Sequence, residues 1–284
     1  FYFSTSVLHS FDEDAVKEVA YQTNLAEWKT VAGTEVPEED VRAVLYECPP
    51  RYFWKHEVEL AERNIFLQRL HRLESGWTAF IHFAKRCEAL VNAEDPWGFD
   101  AHDTGGIANA WSEGQALLRV AHDARLKARI AYQLVRMAHY SSNTTLQQDA
   151  LSAYTQYLLP LKGHTWLEPS AAFYLAGMHK NPERDLAYAR IFDRAIDKQF
   201  RMVSLFETSR TDDLLEQADD DKHRATLLVM RCLQHPGRAL ADLERIAKWD
   251  PSNPHLPLLV SREVSKLEDW LLTPELTELG SAIN

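Results

Sequence analysis

Phe66, Leu70, Leu73, Trp77, Phe80, Ala84, Cys87 and Val91 follow one another in alternating steps of four and three. That period lays a single apolar stripe along a helix, and only other elements packed along it can cover such a stripe. Ser75-Gly76 interrupts the run and predicts a hairpin or a kink there. No alternating apolar and polar pattern of useful length follows residue 10, so the expected class is all-α.

Breaks along the chain mark further helices. Ser10-Phe11-Asp12-Glu13 has the form of a capping box, and Asn24-Leu25-Ala26-Glu27 repeats that signal before Trp28. Pro37 suits a first helical position, where its missing N–H costs nothing. Glu38, Glu39 and Asp40 then favour the positive helix end, Val41, Val44 and Leu45 make the buried face, and Pro49-Pro50 ends the segment. Residues 92–106 form a loop rich in Asp, Gly and Pro. Beyond it, Ile107, Trp111, Leu117 and Leu118 serve one helix, and Leu126, Ile130, Leu134, Met137 and Ala138 the next. Short turns at Lys180-Asn181-Pro182 and His235-Pro236-Gly237 each separate two helices, giving a repeated αα-hairpin. The last helix is expected from about His255 to Leu272, ahead of Pro274. The expected organisation is an N-terminal helical region, 1–104, and a helical-repeat region, 105–284.

Composition narrows the function classes. Of 284 residues, 31 are basic and 42 acidic, a net charge of −11. Such a surface repels a phosphate backbone unless a local basic patch intervenes. The densest basic stretch carries Arg119, Arg125, Lys127, Arg129 and Arg136 on an otherwise apolar helix and reads as a solvated face. Nucleic acid is therefore not an expected partner. No segment has the apolar length for membrane insertion. Cys48, Cys87 and Cys232 are odd in number and form no CxxC pair. Cys87 and Cys232 read as small buried hydrophobes, and a Cys48–Cys87 disulfide is the weaker alternative. The chain opens Phe1-Tyr2-Phe3 without methionine and reads as a trimmed product or a fragment.

Two segments resemble a known repeat. Residues 129–140 (RIAYQLVRMAHY) look like the first helix of a tetratricopeptide-like unit, with Ala150 and Tyr154 where such units keep a small residue and an aromatic one. Residues 238–254, ending Asp250-Pro251-Ser252-Asn253-Pro254, are similar to its second helix and exit turn. The match covers roughly 124 to 254, departs from the regular period and is interrupted over Gln199 to Asp221. The whole also resembles bacterial proteins with a helical-repeat C-terminal half. The resemblance implies an irregular α-α superhelix of stacked hairpins, because each hairpin leaves a flank only its neighbour can cover. It implies partner binding by first-helix residues, here Gln133, Arg136, Tyr140, Tyr174 and Arg231, and a periplasmic or cell-envelope location. It implies no activity and no cofactor.

Catalytic and metal readings carry less weight. Asp100, His102 and Asp103 could ligate a divalent metal, but Asp103 serves equally as a helix cap. Gly105-Gly106 lacks the lysine and hydroxyl of a phosphate loop and reads as a plain turn. Asp219-Asp220-Asp221 precedes a helix, where carboxylates favour the dipole. No histidine falls in HExxH and no serine in GxSxG. Tyr52-Phe53-Trp54 is an aromatic cluster that either anchors a partner or closes the core. The function expected is a non-enzymatic helical-repeat scaffold for protein–protein interaction, with a protein or peptide partner. Two alternatives stand beside it: an all-α hydrolase or lyase with a site near residues 100–111, and a structural subunit of a larger complex.

Overall fold

The long apolar stripe is divided between two helices, Ile65–Arg72 and Gly76–Val91. A computed structural model describes residues 13–73, 76–91, 104–141, 143–235 and 237–276. Among these residues every element is helical and no strand occurs. The Ser10 capping signal, the Phe1-Tyr2-Phe3 cluster and the Asp100, His102 and Asp103 candidates lie outside the described residues. Contacts group the chain into two compact units, one running from Val19 to Met178 and the other built mainly from the residues after Met178. Position 104, the boundary expected from sequence, stands inside the first of them.

The first unit begins within α1, Glu13–Ala32, at Val19. Gly33 closes it at φ +112, a left-handed conformation that favours glycine, and its N–H donates to Lys29 O at 3.0 Å. A short α2, Glu38–Arg42, leads into a wide turn over Ala43–Glu47. The next helix, α3, is Pro50–Arg63, so Pro50 starts a helix at its first position rather than merely ending one. Asn64 ends α3 and caps α4, Ile65–Arg72, by accepting from Leu67 N at 2.9 Å. Leu73 leaves the helix in an extended conformation and is 37% exposed, the one stripe position turned to the surface. Helix α5, Gly76–Val91, then resumes the stripe with Trp77, Phe80, Cys87 and Val91 buried.

Helix α6, Thr104–Val120, and α7, Ala124–His139, follow. Asp123 caps α7 through Arg125 N and Leu126 N. Asn143 caps α8, Thr144–Ala153, and α9, Leu167–Ala176, follows. Helix α7 is the hub of the unit and packs against α5, α6, α8 and α9. It can do so because Ala128, Ala131 and Ala138 alternate with buried Ile130, Leu134, Val135 and Met137, letting neighbours approach on several sides. Gly114 of α6 marks one close approach: a Cβ there would come within 2.7 Å of both Leu134 and Phe83.

The second unit contains α10, Glu183–Ile191; α11, Gln199–Leu205; α12, Thr211–Gln217; α13, Asp221–Gln234; α14, Leu240–Trp249; and α15, Leu256–Leu276. The stretch that interrupts the repeat pattern is thus helical, supplying α11 and α12 against the hub helix α13. Asp220 caps α13 by accepting from His223 N at 2.7 Å. At its other end Arg262 donates to the Cys232 and Leu233 carbonyls, satisfying acceptors that the helix leaves open. Helix α15 runs on to Leu276, past Pro274, so the proline does not end it where the sequence suggested. No helix among the described residues is long and apolar enough to cross a membrane.

His223 gives the second unit a pH signature. Its Nε2 lies 3.0 Å from Leu186 O, and its Nδ1 accepts from Asp219 N at 3.2 Å. Asp219 Oδ2 also stands 3.3 Å from Nδ1, where it faces the ring in either protonation state. Burial lowers its pKa, and Arg190 adds to the effect, while the bond to Leu186 and the carboxylates of Asp219 and Asp220 oppose it. The unfolded chain therefore takes up a proton, below about pH 6.5, that the folded ring resists. Stability from this group is complete above that pH and declines as the pH falls through the lowered folded value. The melting temperature is expected to drop between about pH 7.5 and about pH 5.5, with a smaller drop in His223→Gln. Thermal scans of both proteins at both pH values check this.

Candidate functional site

Asn24 and Glu27 do not begin a helix; they lie inside α1, one turn apart, and face inward together. Their partner is Arg129 of α7. Its guanidinium donates to Asn24 Oδ1 at 3.0 Å and Glu27 Oε2 at 3.2 Å, and sits 4.0 Å from the centre of the Trp28 ring. Glu27 also accepts from Thr165 Oγ1 at 2.7 Å and Trp166 N at 3.2 Å. Asn24 Nδ2 donates to the Tyr46 hydroxyl. Burial drives the Arg129 pKa down to about 10, with Glu27 pulling it back up, so the side chain stays charged at neutral pH. The basic stretch of α6 and α7 is therefore not one solvated face: Arg125 is exposed, Arg129 is buried, and Arg136 is largely covered. The physical reason is the helical period, which turns Arg129 and Arg136, seven residues apart, to the same inner side.

This network forms one wall of an open cavity of about 340 Å³ within the first unit. Trp28, Phe80, Tyr132 and Trp166 supply aromatic surface, and Leu45, Ile81, Ala84 and Leu167 supply aliphatic surface. Lys85, Arg129, Arg136 and Glu88 are its charged members, with Asn24, Gln133 and Tyr46 the remaining polar ones. Lys85 Nζ donates to Cys48 O at 2.6 Å and Glu88 Oε2 at 2.9 Å. Gln133 Oε1 and Trp166 Nε1 are buried with no hydrogen-bond partner among the described residues.

Four of the five residues selected from the sequence gather here. Gln133 and Arg136 line the cavity. Tyr132, Tyr174 and Tyr140 are the nearest electrostatic neighbours of Arg136; burial opposes its charge, and these rings help hold its pKa above the ordinary value. The Tyr140 and Tyr174 rings are 6.2 Å apart, and His139 Nδ1 lies 3.0 Å from Tyr174 O. Tyr174 is itself buried. Arg231 belongs to the second unit, where it pairs with Asp242 and Asp212. Sequence reasoning missed Lys85, Arg129 and Trp166. Their only signal was a charge at an inward helical position for Lys85 and Arg129, and for Trp166 an indole just ahead of α9, which pattern alone does not separate from core or surface.

The other candidates resolve into local roles. Gly105 and Gly106 lie in the first turn of α6 rather than in a loop turn. Asp219 pairs with Arg190 at 2.6 Å, Asp220 caps α13, and Asp221 pairs with Arg224. The three thiols are free and buried; burial raises the Cys48 and Cys87 pKa values and pushes Cys232 up to about 12. Among the described residues no group of His, Cys, Asp and Glu is arranged to hold a metal ion. The Tyr52-Phe53-Trp54 cluster divides: Phe53 is buried, whereas Tyr52 is 49% and Trp54 39% exposed. Comparison with protein-family models, curated proteins and solved structures finds no match to this chain.

Proposed function

We propose that this chain is a non-enzymatic helical scaffold that binds a protein partner, with its hairpins stacked in the manner of tetratricopeptide-like repeats and a place in a cell-envelope assembly. One observation carries the interaction reading. Helix α3 exposes Tyr52, Trp54 and Val58, the last 75% exposed, while Phe53 between them anchors the helix to the core. His56, at φ −120 and ψ 18, kinks the helix between them, with Trp54 on one face and Val58 beyond the bend. Arg86, held by Glu113 at 2.6 Å, lies 5.9 Å from the Trp54 ring and gives that face a charged rim. Exposed tryptophan and tyrosine beside arginine is the composition of interface anchor points. The cavity supports binding over turnover, because its one lining carboxylate, Glu88, is already engaged by Lys85.

The test uses the full chain as bait in native extract, beside a Trp54→Ala, Val58→Asp variant. Both sites are surface positions, so the variant keeps its circular dichroism and melting temperature. The expected result is a partner recovered in stoichiometric amount by the native chain and reduced at least about 30-fold by the variant, the effect of losing an anchor of about 2 kcal/mol. Equal recovery by both proteins, or no stoichiometric partner, overturns the proposal.

A further inference from the structure

We infer that the cavity of the first unit binds a small organic anion, a carboxylate carried on an apolar body. This goes beyond the protein-partner reading and does not depend on it. The charge balance is the first argument. Lys85, Arg129 and Arg136 line the cavity against one lining carboxylate, Glu88, and Glu27 behind Arg129 makes two. Cations thus exceed carboxylates by one in a chain whose net charge is −11. Lys85 and Arg129 are themselves buried in the walls, so that local excess counts for more than it would on the open surface. Guanidinium and ammonium groups are also the side chains suited to a carboxylate.

The walls define the rest of the ligand. Trp28, Phe80, Tyr132 and Trp166 offer flat apolar surface. Arg129 already covers the Trp28 ring at 4.0 Å, so a cationic ligand would meet both a filled face and an excess of like charge. A volume of about 340 Å³ lies at the small end of ligand sites, the size of a single ring with a short polar arm. Trp166 Nε1 and Gln133 Oε1 add a donor and an acceptor in the same walls without protein partners among the described residues. In the bound state the indole N–H is matched to the ligand carboxylate and the amide oxygen to an N–H or O–H on the ligand body.

The test is calorimetric titration of the full chain with aryl and alkyl carboxylates from benzoate to N-acetyltryptophan, each beside its primary amide. Hexapeptides ending in the same residues form a separate arm. At least one small carboxylate is expected to bind with Kd of about 0.1 mM or tighter and about 10-fold better than its amide. Ala84→Phe, which fills the cavity from α5, abolishes the binding. Arg136→Gln removes the preference over the amide. The inference is overturned if no carboxylate in the panel outbinds its amide in the native chain, if Ala84→Phe binds as well, or if only the hexapeptides bind.

Discussion

Replacing Trp28 by alanine destabilises the first unit by about 4 kcal/mol, within the range for removing a large buried aromatic. Trp28 is 2% exposed, and its ring packs against Phe66 at 5.3 Å, Trp77 at 5.5 Å and Phe80 at 6.1 Å between centroids. These come from α4 and α5, so one truncation opens a void where three helices meet. The same change removes the aromatic face under the Arg129 guanidinium. That cation keeps its bonds to Asn24 and Glu27 but loses packing on one side, which adds to the cavity term. Urea unfolding followed by circular dichroism measures the loss without relying on the tryptophan removed. Trp54→Ala is the comparison: a partly exposed side chain whose loss stays within about 0.5 kcal/mol. Equal effects at the two tryptophans would contradict this account of the core.

Lys266→Met is expected to cost the second unit about 3 kcal/mol, the lower end for breaking a buried ion pair. Lys266 is 2% exposed, donates to Gly237 O at 2.6 Å and pairs with Glu263. Methionine fills the space of the stem but leaves the Glu263 carboxylate buried without its cation. Glu263 Oε2 retains the Ala239 N–H at 3.2 Å, which does not replace the lost charge. Adding Glu263→Gln removes the stranded charge while keeping an oxygen for Ala239. The double variant is therefore expected to recover at least about 1 kcal/mol of the loss, a coupling typical of residues in contact. Strict additivity of the two changes in chemical denaturation would show that the pair is not the source of the effect.

Helix-scale features were legible because they depend on local spacing. The stripe from Phe66 to Val91 placed α4 and α5, and the Lys180-Asn181-Pro182 turn marked a helix limit by backbone restriction. Asn24 and Glu27 misled for the same reason. Their residue types suit a helix start, and only the position of Arg129, more than 100 residues later, shows them to be its partners. Leu73 fits the apolar period but falls where the chain leaves the helix, so its side chain turns outward. The cavity is less legible still, since Lys85, Trp166 and the Arg129 and Arg136 pair on α7 lie far apart in sequence and gather only by packing. Gln133 and Arg136, selected through the repeat resemblance as partner-binding residues, line this cavity, which no local pattern in α7 announces.

Glu27 accepts from Arg129, Thr165 and Trp166, residues 102, 138 and 139 positions further along the chain. During synthesis, then, this carboxylate must wait until Trp166 has left the ribosome before its set of donors is complete. The earliest helices emerge with an inward-facing acid and indole that nothing yet covers, and closures over such separations are slow relative to local helix formation. A nascent chain stalled near residue 150 should accordingly bind chaperones that a chain released past residue 178 no longer needs.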